Sequence, residues 1–156
     1  MKLADIKGVF EHSPWVAERA WVRGPFSSVE ALHRTMLQVV QQATAAEQLA
    51  LVRAHPELAG TEAKEGTLSP ESSSEQHRLG FTRLSRDEVL QMAQINRRYR
   101  EKFGFPCIVA LRLHVSRESV VAEMERRLEN EAGAELKTAL EQIGHIARGR
   151  LGRILG

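Results

Sequence analysis

Helix-start signals recur along the whole of this chain, and they constrain its fold more than any other feature. Ser13-Pro14, Ser27-x-x-Glu30, Thr44-x-x-Glu47, Ser69-Pro70, Ser85-x-x-Glu88 and Ser116 each precede an apolar pattern of helical spacing. A Ser or Thr hydroxyl at such a place accepts from a free backbone N–H, and a Glu three residues on returns the bond. Proline at the first helical position loses no N–H that the helix would use. The patterns that follow are helical too. Leu3, Ile6 and Phe10 mark a short amphipathic piece over 3–11, and Trp15, Val16 and Trp21 mark a second, ended by Gly24-Pro25. Leu32, Met36, Val39 and Val40 form a longer stripe, and residues 45–54 the next helix. Val89, Met92, Ala93, Asn96 and Tyr99 lie on another, which stops near Gly104. Val120, Val121, Met124 and Leu128 follow Ser116. Asn130 and Gly133 then break the pattern before Leu136, Leu140, Ile143, Ile146 and Leu151. Only the run 105–111 is apolar and β-rich, and its periodicity fits a buried strand as well as a buried helix. With no second strand to pair with, it reads as helix or extended backbone inside an all-α core. The expectation is one all-α domain over residues 1–156, with about seven or eight helices around one core.

Charge narrows the function classes. Lys and Arg number 22 against 20 Asp and Glu, a net charge of +2, and the two signs alternate along most of the chain. A nucleic-acid binder concentrates its cations in a patch or stripe. Only the end resembles that, where Arg148, Arg150 and Arg153 follow the last acid, Glu141. Arginines near a helix C-terminus complement its macrodipole, and that reading is preferred to a nucleic-acid regulator. The single cysteine, Cys107, forbids an intrachain disulfide and suits a reducing compartment. No run approaches eighteen apolar residues, so no membrane span is expected. Met1-Lys2-Leu3-Ala4-Asp5 has no continuous apolar segment, and Leu155-Gly156 carries no peroxisomal tripeptide. The expectation is a cytoplasmic protein without nucleic-acid or membrane partners.

The chemistry-bearing stretch runs from Arg53 to Gln76. His55-Pro56 stops a helix, because proline disfavours helical geometry in the residue before it. A polar linker over 60–69 follows, a loop long enough to act as a lid or recognition segment. In the helix opened by Ser69-Pro70, Ser72, Glu75 and Gln76 stand at i, i+3 and i+4 and share one face. An imidazole and a serine–carboxylate–amide face can together do acid–base work if the fold joins them. On residue chemistry alone, a histidine before proline is more often only a helix stop, and such a face is more often simply solvated. The other histidines, His12, His33, His77, His114 and His145, fall in no H-x-x-x-H or H-E-x-x-H spacing, so no metal is expected. Gly60 and Gly66 precede no P-loop lysine and serine. Cys107, in its apolar run, reads as an inert small hydrophobe, and both tryptophans read as core.

Four segments stand in a telling order: Phe10-Glu11-His12-Ser13-Pro14-Trp15, Ala54-His55-Pro56-Glu57-Leu58-Ala59, Ser72-x-x-Glu75-Gln76 and Lys102-Phe103-Gly104-Phe105-Pro106. So arranged, from Phe10 to about Leu151, the chain resembles the OHCU decarboxylase family (2-oxo-4-hydroxy-4-carboxy-5-ureidoimidazoline decarboxylase). The resemblance implies decarboxylation of OHCU to (S)-allantoin in urate degradation, by a homodimer acting on a small molecule. It implies no cofactor, since the substrate's own C=N bond accepts the electrons that pyridoxal phosphate would otherwise take. By the same resemblance His55 is the proton donor and Glu75 its catalytic partner at the substrate hydroxyl. Pro56 shapes the pocket, and Ser72 and Gln76 bind ring and ureido groups. Cys107, Ile108, Val109, Ala110 and Leu111 match a segment that contacts substrate largely through its backbone, although the family usually has a bulkier residue where Cys107 stands. Arg127, in an R-L-x-N segment, is either a contact to the anionic substrate or a structural ion pair. A neighbouring carboxylate would raise the pKa of His55 and burial would lower it. The rival reading is a catalytically inactive helical interaction module of the same fold, against which intact His55 and Glu75 argue.

Overall fold

A computed structural model describes residues 1–60 and 66–155. The described residues form eight α-helices: α1 (Leu3–Ile6), α2 (Pro14–Trp21), α3 (Val29–Gln42), α4 (Ala45–Arg53), α5 (Pro70–Arg78), α6 (Arg86–Phe103), α7 (Arg117–Arg127) and α8 (Ala132–Leu155). One 3-10 turn, Leu111–Leu113, interrupts the chain between α6 and α7, and there is no strand among the described residues. The all-α expectation holds. The linker expected to be a loop over 60–69 falls, for 61–65, outside the described residues.

Most helix starts form as the local chemistry dictates. Thr44 and Glu47 close a reciprocal capping box, the Glu47 N–H donating to Thr44 Oγ1 at 3.1 Å and the Thr44 N–H to Glu47 Oε1 at 3.0 Å. Ser85 and Glu88 repeat it at 3.2 and 2.9 Å. Ser69 and Ser116 cap α5 and α7 through their hydroxyls. At α3 the cap is Ser28, one residue past the expected Ser27. Its hydroxyl accepts from the Ala31 N–H, which frees Glu30 to pair with Arg148 at 2.7 Å. The amphipathic piece over 3–11 is helical only to Ile6, yet Val9 and Phe10 in the following turns are still buried. Gly133 does not precede the last helix but lies in its first turn. Gly104 ends α6 with φ 76°, a left-handed cap that suits glycine.

Helix α8 organises the packing. It touches α1, α3, α4, α6 and the 3-10 turn, while α2 lies on α3. Its buried stripe of Ala139, Ile143, Ala147 and Leu151 belongs to a core shared with Leu32, Met36, Leu51, Tyr99 and Met124. The run 106–110 is neither the buried strand nor the buried helix that its periodicity fits: it is extended, irregular backbone, and Leu111 opens the 3-10 turn. It is nonetheless fully buried. A buried irregular segment must find partners for its peptide groups outside any ladder. Here side chains supply them. Arg127 donates to the Ile108 carbonyl at 2.6 Å, the Ala110 N–H donates to Gln142 Oε1 at 2.8 Å, and Arg78 donates to the Leu111 carbonyl.

Candidate active site

His55 lies in the turn that follows α4, its N–H donating to the Val52 carbonyl at 3.2 Å. Its ring folds back along the helix and Nδ1 lies 3.2 Å from the Leu51 carbonyl. A carbonyl only accepts, so Nδ1 carries the proton and Nε2 presents a bare lone pair. His55 is 6% exposed, and Nε2 has no hydrogen-bond partner among the described residues. Pro56 then turns the chain, and the turn is fastened from two sides. Asn96 donates to the Leu58 carbonyl at 2.9 Å, and the Ala59 N–H donates to Gln76 Oε1 at 3.0 Å. Ala59 is held at φ 52°, a left-handed conformation that a non-glycine residue keeps only when its surroundings impose it.

Helix α5 brings its polar face inward. Ser72 and Gln76 are buried, contrary to the simple solvated reading, and Glu75 keeps 18% of its side chain exposed. The three meet His55, Pro56, Cys107, Ile108, Val109 and Leu111 around one cavity of about 30 Å³. That is space for roughly one water. A wider cleft of about 490 Å³ lies beside it and shares Glu75, Leu111 and Ile146 with it. Another cleft of about 700 Å³, beside Met1, Phe26 and Ile154, has Asp5 as its one acidic side chain and no histidine.

Charge at the cavity is set by Arg150, which is 1% exposed. It holds Glu75 through Nε and Nη2, lies 3.0 Å from Glu11 Oε2, and donates to the Ser72 hydroxyl at 3.2 Å. Arg153 pairs with the outer Glu75 oxygen at 2.8 Å. Burial pushes the His55 imidazole down, and the Arg150 charge adds to it. The Leu51 hydrogen bond and the Glu11 and Glu75 carboxylates only partly offset this, leaving a pKa of about 4. Burial therefore wins the contest over His55, and the ligand-free protein carries it neutral. The Cys107 thiol is pushed up to about 12, chiefly by burial, so it contributes surface rather than nucleophilicity.

A family model described as OHCU decarboxylase matches residues 2–152. The chain belongs to the OHCU decarboxylase family. A mouse 2-oxo-4-hydroxy-4-carboxy-5-ureidoimidazoline decarboxylase is 37% identical over 156 residues, covering 99% of this chain and 87% of its own length. A uric acid degradation bifunctional protein of Bacillus sp. (strain TB-90) is 40% identical over 94% of this chain, which spans 28% of that protein. Among solved structures, an OHCU decarboxylase crystallised in the presence of (S)-allantoin superposes with a TM-score of 0.76 at 23% identity, covering 96% of each chain. It shares the fold.

Most of the residues expected at an OHCU decarboxylase site converge. Ala110 and Arg127 do not line the cavity. The Ala110 N–H nonetheless donates to Gln142 Oε1 and so helps fix the wall. Arg127 is buried against Glu135, Nη2 to Oε1 2.5 Å, where Tyr99 and Asn130 also bind that carboxylate. Its guanidinium is engaged by Glu135 and by the Ile108 carbonyl, which favours the structural alternative.

The sequence reading gives no site role to Arg150, which lines the cavity, or to Glu11, which binds Arg150 and Ser72 behind it. Sequence alone makes Arg150, Arg148 and Arg153 a complement to the helix dipole. Instead the three pair with Glu75 and Glu11, with Glu30, and with Glu75. This also removes the free basic stripe that a nucleic-acid reading needs. The usable signal was position: Arg150 stands four residues after Ile146 and seven after Ile143, on the apolar stripe, where a charge is buried only with a partner.

Proposed function

We infer that this chain is a carboxy-lyase that converts OHCU to (S)-allantoin in urate degradation, without a metal or organic cofactor. The observation that carries the reading is one cavity, in a chain of this family, lined by an ion-paired carboxylate and by a buried imidazole whose Nε2 has no partner among the described residues. Loss of carbon dioxide sends the C4–carboxylate electron pair into the adjoining C=N bond and leaves an ene-ol with a nitrogen anion. To reach allantoin, C5 and the ring nitrogen each gain a proton and the hydroxyl loses one, so each turnover consumes one proton.

His55 and Glu75 suit the two halves of that balance. Neutral in the empty site, His55 takes up the consumed proton when the anionic substrate arrives, because a nearby negative charge favours imidazolium. It then delivers the proton to one face of C5. Glu75 receives the hydroxyl proton as the carbonyl forms and returns it to the ring nitrogen. Pro56, Ser72 and Gln76 shape and line the cavity, and the backbone of 107–111 gives it a wall already fixed before binding. Homodimeric assembly and a cytoplasmic site of action belong to the same reading and rest on the family resemblance and on the single buried thiol.

The deciding experiment generates OHCU in situ from urate and follows its loss with and without the protein. Accelerated loss with dextrorotatory or levorotatory excess of a single allantoin enantiomer, identified as (S), supports the reading. Loss at the spontaneous rate, with allantoin bound but not formed faster, returns the chain to the inactive-module reading.

A further inference from the structure

One buried carboxylate at this site has no part in the proton balance above. Glu11 is 2% exposed and lies in the turn between α1 and α2. The neighbouring His12 adopts φ 48°, and the Ser13 hydroxyl donates back to the Glu11 carbonyl at 3.0 Å. That turn sends the side chain inward instead of to solvent. Its Oε2 accepts from the Ser72 hydroxyl at 2.7 Å and sits 3.0 Å from Arg150 Nη2, and Oε1 is buried too.

Arg150 is thus suspended between two carboxylates and a main-chain carbonyl, since Nη1 donates to Val9 at 3.2 Å. A guanidinium presents its donors in one rigid plane. Fixing it from the Glu11 and Val9 side fixes the edge it offers to Glu75. We propose that Glu11 is a positioning residue for the decarboxylation, acting through Arg150 and Ser72 to set the Glu75 carboxylate at the cavity. This rests on the function inferred above.

Glu11 acts on charge as well as on geometry. Four titratable groups bear on it or on its partner: Arg150 from α8, His55 from the turn after α4, Glu75 from α5, and His12, whose Nε2 is 3.7 Å from Oε1. With Glu11 ionised, the Arg150 charge beside His55 is countered by two anions. Removing one leaves His55 facing a less compensated cation, which disfavours imidazolium.

The test compares Glu11→Gln, which keeps the shape and removes the charge, with Glu11→Asp, which keeps the charge and shortens the reach. Each folded variant is assayed for kcat and KM, and the His55 midpoint is read by NMR in the ligand-free protein. Glu11→Gln is expected to lower kcat by about 10- to 100-fold with KM little changed, and to move the His55 midpoint to lower pH. Glu11→Asp is expected to lower kcat while leaving that midpoint near wild type. An unchanged midpoint in Glu11→Gln, or activity that falls only with the folded fraction, overturns the proposal. So does failure of both variants to fold, which would make Glu11 a purely structural group. If wild type does not turn over OHCU at all, the function reading fails. The midpoint shift then still reports whether Glu11 sets the charge at His55.

Discussion

Arg150 grips the Glu75 carboxylate with two parallel hydrogen bonds, Nε to Oε2 at 3.0 Å and Nη2 to Oε1 at 2.9 Å. Forked contact of this kind fixes orientation as well as charge. It ties Glu75 into the fold as well as placing it at the cavity. Read as a solvent- or ligand-facing side chain, Glu75 would be replaceable at almost no cost in stability; paired with a buried arginine, it is not.

Glu75→Gln is therefore expected to lower turnover of OHCU by about 10²–10⁴-fold. It should also destabilise the protein by about 1–3 kcal/mol, because Arg150 loses a charged acceptor. Urea unfolding alongside kcat separates the two effects. A variant as active as wild type per folded molecule would remove Glu75 from the chemistry.

His55→Asn is expected to bring the rate near the spontaneous background and to cost the product its handedness. Asparagine keeps a polar side chain but is no acid near neutral pH. An ene-ol released without a fixed donor takes its proton on either face. Circular dichroism of the allantoin, recorded beside OHCU consumption, checks this. Strongly (S) product at the wild-type rate would assign the proton to another group.

The depressed pKa of His55 sets a pH dependence of stability. In the unfolded chain a histidine titrates near 6.5, and in the fold His55 titrates near 4. Between those values the unfolded state binds a proton that the native state does not, so stability falls as pH drops through that window. The full effect, reached below the folded value, is on the order of 3 kcal/mol. The depressed carboxylates Glu11 and Glu47 act lower, their stabilisation being lost only as pH falls below about 4.5. Denaturant midpoints at a series of pH values should slope between 6.5 and 4.5 in wild type and flatten there in His55→Asn.

Arg127→Met is expected to cost about 3–5 kcal/mol, because Glu135 stays buried without its cation. Arg127→Met with Glu135→Leu should recover a large part of that in urea unfolding. If the single variant is as stable as wild type, the pair does not hold the fold together.

Dialysis against a strong chelator is expected to leave the rate of OHCU loss unchanged. Among the described residues no three His, Cys, Asp or Glu side chains cluster as a metal site. Activity lost on dialysis and restored by one divalent ion would contradict a cofactor-free reaction.

The helices were legible because their causes are local. A cap such as Thr44 with Glu47 spans four residues, and those residues can be read in place. The one misplaced cap, Ser27 for Ser28, lay in a pair of adjacent serines that the spacing rule cannot tell apart without the backbone angles. His55, Ser72, Glu75 and Gln76 were legible through motif order, not through chemistry. Glu11 was not, and Arg150 was legible only as a charge on an apolar stripe, since the partners that explain both come from distant parts of the chain. The run 105–111 hid its conformation for a different reason. Its peptide groups are satisfied by Arg127, Gln142 and Arg78, and no period in its own sequence announces partners from other elements.

Helix α8 carries Glu135, Gln142 and Arg150 at intervals of about two turns. The first anchors Arg127 behind Ile108, the second holds Ala110, and the third holds Glu75. Cavity wall and acid–base face are thus dimensioned along a single rod. One residue inserted between Gln142 and Arg150 would rotate everything beyond it by about 100° and swing Arg150 off the cavity. Length variation in this architecture must therefore collect in its connections, while the spacing along α8 admits changes of residue but not of count.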